Sequence, residues 1–267
     1  TPAQIEYMTA HVQDNRRTRY IIANAICLAV ATVAFVLRFI SRRLGCVKLG
    51  VDDWFIVVGM FLTTAYVTML FVLLRFGMGR HIILVKDARG LTISLITAET
   101  LYAVSICFIK LSVLGLYNRL FPQQWFHRTS IAVGIFIALY TITKISGDIF
   151  QCVPIQAHWT PSIHAKCIDF SKLVIVHGVL NIVTDFVILA LPMPVLWNLH
   201  LDKVKKWALT FMLLVGALVC IISVVRLPIV KEVDTPDPSW DFVWPLAISA
   251  IECCAAIIAA CVPTYRP

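Results

Sequence analysis

Charge is what this sequence has least of. Only 14% of its 267 residues are Asp, Glu, Lys or Arg, 60% are hydrophobic, and the mean hydropathy is +0.85. A soluble chain carries about 25% charged and about 45–50% apolar residues, so this one cannot cover itself with polar surface. Disordered, collagenous, disulfide-stapled and nucleic-acid-binding classes are excluded. The net charge of +8 reads as basic residues flanking membrane spans beside anionic headgroups. A cleavable leader is also missing. Residues 1–17 hold no apolar stretch followed by a small-residue cleavage site, so the first span is expected to serve as the targeting signal. The start at Thr1 and the end at Pro267, directly after a hydrophobic stretch, suggest a piece of a longer protein. No apolar run has the two-residue alternation of a barrel strand, which leaves an all-α bundle. Metal motifs and paired Asp-rich segments are absent as well.

Seven apolar runs are present, from about Tyr20 to Ile40, Trp54 to Leu74, Leu91 to Leu116, Thr129 to Phe150, Leu173 to Trp197, Trp207 to Leu227 and Asp241 to Val262. Each can cross a hydrocarbon core of about 30 Å at about 1.5 Å per residue. The expected plan is an extracellular N-terminal segment, 1–17, followed by a seven-transmembrane helix domain, 18–267, in a multi-pass protein of the plasma membrane. Pro192 and Pro194 are expected to bend or end the fifth span. Pro228 and Pro263 read as punctuation at span ends, and Trp54, Trp197, Trp207, Trp240 and Trp244 as headgroup anchors.

Loop Lys and Arg residues do not orient the bundle, with nine on one side and ten on the other. Cysteine is more informative. Cys152 and Cys167 share one polar segment, and every other cysteine except Cys46 lies inside a span. A disulfide between them would place that segment and the N-terminus outside and the C-terminus in the cytoplasm. Zinc is the alternative, because His158 and His164 lie between the cysteines. Asp52 and Asp53, just before the second span, read as helix-capping acids opposing the helix dipole, or as a docking point for a cytoplasmic partner.

Once the loop charges are set aside, Arg38, Lys110, Lys144 and Arg226 remain inside the spans with Glu99, Asp148, Asp185 and Glu252. Such residues normally face the bundle interior and find partners, because an unpaired charge at mid-bilayer costs at least about 2.5–3.5 kcal/mol. Counted from the outer ends of their spans, Glu99 lies roughly 12 Å deep, Lys144 roughly 9 Å and His177 about 6 Å, with Asp148 and Arg226 shallower and Asp185 and Glu252 near the midplane. Lys110 and Arg38 fall in the inner half, near enough to its boundary to snorkel. His177, Asn181 and Asp185 recur every four residues on one helix face, as do Lys144 and Asp148. These groups could simply hold helices together. Their concentration in the outer half favours a pocket lined by Glu99, Lys144, Asp148, His177, Asn181, Asp185, Arg226 and Glu252.

A set of local motifs then fits one pattern: Gly50-Val51-Asp52-Asp53-Trp54, Gly77-Met78-Gly79-Arg80-His81, Lys110-Leu111-Ser112 running to Tyr117-Asn118-Arg119-Leu120-Phe121, Cys152-Val153-Pro154 with Cys167, Asn181-Ile182-Val183-Thr184-Asp185, Leu191-Pro192-Met193-Pro194, and Cys261-Val262-Pro263-Thr264-Tyr265. Together they resemble the fungal rhodopsin-domain family of integral membrane proteins. The resemblance implies seven helices and a receptor-like role at the plasma membrane, many members being regarded as non-standard G-protein-coupled receptors and others being encoded beside secondary-metabolite genes. It does not imply retinal, because the seventh span holds no lysine for a Schiff base. The third span ends in Asn118-Arg119-Leu120, where common receptors have an acidic residue, Arg and Tyr.

The leading functional expectation is a receptor. A small extracellular ligand would enter the outer pocket, and Arg119, Lys203, Lys205 and Lys206 would meet a G protein or another cytoplasmic signalling protein. The alternative is a membrane-embedded enzyme acting on an apolar secondary metabolite, with core carboxylates as acid and His177 as base. A transporter ranks third, since no inverted repeat or broken helix pair is visible.

Overall fold

Helix is the only secondary structure that lets a lone apolar run satisfy its own backbone in hydrocarbon, and the chain builds seven of them. The computed structural model describes residues 17–79, 85, 87–158, 166–168, 170–198, 203–231, 239 and 242–265. The long helices are α1 (Arg17–Leu44), α2 (Val51–Arg75), α3 (Ala88–Leu120), α4 (Gln124–Ile149), α5 (Phe170–Ala190), α6 (Lys203–Lys231) and α7 (Val243–Cys261), and all seven are long and apolar enough to cross a membrane. The proposed N-terminal segment lies, but for Arg17, outside the described residues. So do His164, Trp240, Asp241 and the side chains of Trp197, Lys203, Lys205, Lys206 and Trp207.

Many of the bundle's large apolar side chains face outward. Ile26 and Val33 of α1, Phe61 of α2, Leu139 and Ile142 of α4, Phe186 of α5 and Leu214 and Ile221 of α6 are all exposed, as suits a protein whose solvent is lipid. The packed centre belongs to α7, which contacts α1, α2, α3 and α6. Its buried positions are mostly small, among them Ala247, Ser249, Ala250, Cys253, Cys254, Ala259 and Ala260, and small residues let helix backbones approach closely. Tyr66 Oη donates to Leu246 O at 3.0 Å, tying α2 to α7, and Tyr265 Oη, just past the end of α7, donates to Ala34 O of α1 at 3.0 Å.

Several boundaries differ from the hydropathy reading. α3 starts three residues earlier and ends four later than expected, capped by Asp87 Oδ1, which accepts the Gly90 N–H at 2.8 Å. α5 ends at Ala190, just before Pro192, and a short helical turn over Met193–Asn198 follows. α6 continues through Pro228 to Lys231, so that proline is inside the helix and not at its end. Near a C-terminus it removes only one ladder donor. Between α4 and α5, strands β1 (Cys152–Val153) and β2 (Lys166–Cys167) pair antiparallel with Cys152 opposite Cys167, and these two are disulfide-bonded. The bond consumes both thiols on which the zinc alternative depended.

At the opposite end of the bundle, Arg38 overturns its expected snorkelling. It is 0% exposed, and its guanidinium donates to Asp52 Oδ2 at 2.7 Å, to Asp53 Oδ1 at 2.8–2.9 Å and to Ala260 O at 2.7 Å. Arg42 Nη2 donates to the same Asp52 Oδ2 at 2.7 Å. Asp53 does cap α2, accepting the Gly50 N–H at 2.9 Å. Its larger role, and that of Asp52, is to neutralise arginines from α1. Both acids are buried, at 3% and 2% exposure, which withdraws them from direct docking. Three helices, α1, α2 and α7, thus meet through one charged knot. Replacing Arg38 with Leu leaves two buried carboxylates short of a cation, and breaking a buried pair costs about 3–5 kcal/mol. A thermal melt of the detergent-solubilised Arg38→Leu protein should show that loss, whereas Arg43→Leu, at an exposed position, should melt like the parent.

Candidate functional site

Toward the disulfide face the remaining internal charges join in one chain. On α4, Lys144 reaches Asp148 Oδ2, one turn away, at 2.6 Å and Glu99 Oε2 on α3 at 3.1 Å. Lys before Asp is the weaker order for a helical pair, but the second carboxylate from α3 holds the ammonium in place. Glu99 Oε1 faces Arg226 Nη2 of α6 at 3.8 Å, and Arg226 Nη1 faces Glu252 Oε2 of α7 at 3.9 Å. The guanidinium carbon lies 4.5 Å from the centroid of the Tyr102 ring, a cation–π contact.

Glu252 is 0% exposed and is the hub. Its Oε2 accepts from Tyr102 Oη at 2.8 Å, and its Oε1 from Asn181 Nδ2 at 2.7 Å and Ser223 Oγ at 2.7 Å. Asn181 and Ser223 also face Asp185 Oδ2, at 3.4 and 3.1 Å. Asp185 Oδ1 then pairs with Lys110 Nζ at 2.9 Å. Lys110 also donates to Asn181 Oδ1 and Thr184 Oγ1, each at 2.8 Å. This corrects the expectation that Lys110 snorkels: it is buried and turned into the bundle. A lysine's long stem reaches a partner that a count of residues from the span ends would place at another depth.

All eight residues predicted to line the pocket are therefore on the interior of α3 to α7. His177 borders them, with Nδ1 buried and without a hydrogen-bond partner among the described residues. Lys110, Tyr102, Tyr140, Thr184 and Ser223 complete the set. Lys110 carried a signal in its charge. The hydroxyl residues carried little, because single Tyr, Ser and Thr residues are common in spans.

The space these groups enclose is small. A cavity of about 40 Å³ lies among Glu99, Tyr102, Lys144, Asp148, His177, Asn181, Arg226 and Glu252. Since about 10–15 Å³ of such space holds one water, it takes a few waters and no organic ligand. Above it is a vestibule of about 200 Å³, lined by Thr92, Leu95, Ile96, Gln151, His158 and Phe242 and sharing Glu99 and Asp148 with the cavity below. His158 belongs to the disulfide-bonded segment. Burial pushes its imidazole below the ordinary range, and its Nε2 has no partner among the described residues. Glu99 and Asp148 thus line both the vestibule and the polar core beneath it.

On the other face, Arg119 donates to Lys48 O at 2.8 Å and stands 3.6–3.8 Å from Asp52 and Asp53. It is 35% exposed. Of the four predicted partner-binding residues it is the one whose side chain is described.

Compared with known proteins, residues 37–267 match the fungal rhodopsin domain. The chain belongs to that family. Among curated relatives of this fungal rhodopsin-domain protein, a polyenoic acids biosynthesis gene cluster protein of Metarhizium anisopliae is 29% identical over 91% of this chain and 71% of the relative. A satratoxin biosynthesis cluster protein of Stachybotrys chartarum is 32% identical over 62% of this chain and 61% of its own, and a SAT4 family membrane protein of Emericella nidulans is 28% identical over 62% and 43%. The last two alignments thus span less than two thirds of those relatives. No solved structure matches the chain. α7 has no lysine, and Lys110 and Lys144, on α3 and α4, are each held by carboxylates.

The Lys110–Asp185 pair offers a direct check on the network. Lys110→Met leaves Asp185 buried without its cation and should cost about 3–5 kcal/mol. Adding Asp185→Asn should recover a large part of it. A double-mutant cycle on thermal unfolding in one detergent measures the coupling, and simple additivity of the two single losses would contradict the pairing.

Proposed function

We propose that this fungal rhodopsin-domain protein is a receptor-like sensor of a small secondary metabolite that enters from the disulfide face, which we assign to the outside. The observation that carries the reading is the continuous polar chain from Asp148 and Glu99 at the vestibule floor to Lys110 deep in the bundle. It links α3, α4, α5, α6 and α7. A ligand that offers Lys144 or Arg226 a better acceptor, or Glu99 or Asp148 a better donor, opens the ceiling of the core and frees the groups below it. A conformational change needs such a difference in interaction between two states. The names of the relatives support a metabolite as the stimulus, since those from Metarhizium and Stachybotrys are biosynthesis cluster proteins. A cytoplasmic signalling protein, a G protein or another, would read the change on the opposite face. The rival reading, a membrane-embedded enzyme acting on an apolar metabolite, draws on His177, whose Nδ1 has no hydrogen-bond partner among the described residues, beside buried carboxylates. The few-water size of the cavity weighs against it.

Two measurements test this reading. Fractions of the host's culture extract, titrated onto purified protein, should include one that raises the melting temperature of the wild type but not of Asp185→Asn or Glu252→Gln. Both variants retaining wild-type stability and response would remove the pocket. Orientation is read from Cys46, an exposed free thiol in the turn between α1 and α2. In intact protoplasts it should be protected from a membrane-impermeant maleimide and react after permeabilisation. Labelling before permeabilisation would invert the protein.

A further inference from the structure

A larger cavity is unrelated to the polar core. It is a groove of about 690 Å³ on the face opposite the disulfide, where α2 and α4 both pack on α3 and leave a furrow between them. Its floor is Leu111, Leu114, Gly115 and Asn118 of α3, and Phe55, Ile131, Gly134 and Ile135 form its walls. Ile135 is 56% exposed and Ile131 46%, so the furrow opens sideways into the bilayer. The glycines keep it narrow at the base. A Cβ on Gly134 would meet Leu111 at 3.3 Å, and one on Gly115 would meet Asp52 at 3.2 Å.

One end of this apolar furrow is basic. Lys48, Arg119 and His127 stand at its mouth, where α3 ends and α4 begins, at the level of the headgroups. Lys48 and His127 are exposed, and neither side chain makes an ion pair or hydrogen bond with the described residues. The knot behind them is short of negative charge, since among the described residues Arg38, Arg42 and Arg119 share only Asp52 and Asp53. Arg119, the most exposed of the three, faces the groove. Its one hydrogen bond among the described residues is to a neutral carbonyl, Lys48 O. Asn118 Oδ1 is buried against the same space with no partner among the described residues. Its amide is free to accept from a headgroup hydroxyl or ammonium or, turned over, to donate to a phosphate.

We infer that this groove is a binding site for an anionic phospholipid, with its phosphate between Lys48, Arg119 and His127 and one acyl chain along Leu111, Leu114 and Ile135. The pairing follows from shape and charge together. A soluble anion would leave the lateral apolar opening unfilled, and a free hydrocarbon would leave the cationic excess unanswered. A lipid supplies both parts in the right order along the membrane normal. Basic pockets between helices at headgroup depth are suited to acidic lipids.

The test uses the whole chain purified in detergent, stripped of lipid and titrated with phosphatidylserine, phosphatidylinositol or phosphatidylcholine of matched acyl chains. Bound lipid is counted by native mass spectrometry. Either acidic lipid should remain as a one-to-one adduct and outcompete phosphatidylcholine. Lys48→Ala should lower the affinity for acidic lipid about fivefold, the factor for one basic residue near an anionic headgroup, with the affinity for phosphatidylcholine unchanged. Ile135→Trp, at a lipid-facing position, should weaken all three by obstructing the chain. A preference for acidic lipid that survives Lys48→Ala and His127→Ala together, or equal binding of acidic lipid and phosphatidylcholine by the wild type, would overturn the assignment. Inorganic phosphate displacing the lipid at equal concentration would also overturn it, since the acyl chain would then contribute nothing.

Discussion

A charge inside a bilayer has no water to fall back on, so it must meet an opposite charge on a neighbouring helix. In this protein that requirement is met twice, in two separate groups of side chains. In the group toward the disulfide, Lys110, Lys144 and Arg226 are distributed among Glu99, Asp148, Asp185 and Glu252. Hydroxyl and amide groups from Tyr102, Asn181 and Ser223 fill the intervals. Helices that would otherwise associate only through van der Waals contact and occasional hydrogen bonds are thereby fixed in register. α7 holds the hub carboxylate, and its small side chains allow the other helices close enough for the bonds to form.

Sharing has a mechanical consequence. Asp185 is held by Lys110, Asn181 and Ser223, and Glu252 by Tyr102, Asn181 and Ser223, so neither can shift without changing the partners of the other. An ion pair of two members breaks in one place. A network in which Asn181 and Ser223 each serve two carboxylates can exchange partners and stay largely satisfied, which is how a packed interior comes to have two arrangements of similar energy. Under the proposed reading, that exchange would carry a disturbance from the vestibule to the deep end of α3.

Much of this was legible in the sequence, and the illegible part has an identifiable cause. Runs of about 20 apolar residues give spans directly, and the four-residue spacing of His177, Asn181 and Asp185 gives a shared face, because both follow from helix geometry alone. The disulfide was legible because two cysteines shared one polar segment. Partnerships between helices were not. Lys110 and Asp185 are 75 residues apart, and measuring depth from the apparent end of each span assumes that helices start level and stand upright, whereas α3 extends past its apolar run at both ends. Arg38 was misread for a related reason. Asp52 and Asp53 have a sufficient local role at the start of α2, and that role hides the longer-range one with α1. Tyr140 and Ser223 gave no sign, since an uncharged hydroxyl becomes a site residue only through what stands opposite it.

Counted as ionised, the group toward the disulfide has four acids and three bases, and the knot at the other face has three arginines and two aspartates. The two surpluses are opposite in sign and lie at opposite ends of the bundle. Beyond their side-chain pairings, then, these two groups of described residues together form an electric dipole along the bundle. Carrying one elementary charge across the membrane is worth about 2.3 kcal/mol per 100 mV, so any rearrangement that moves a proton or an ammonium from one group toward the other does work against the resting potential. Under the proposed reading, the balance between two conformations of such a bundle would depend on membrane voltage as well as on what binds to it.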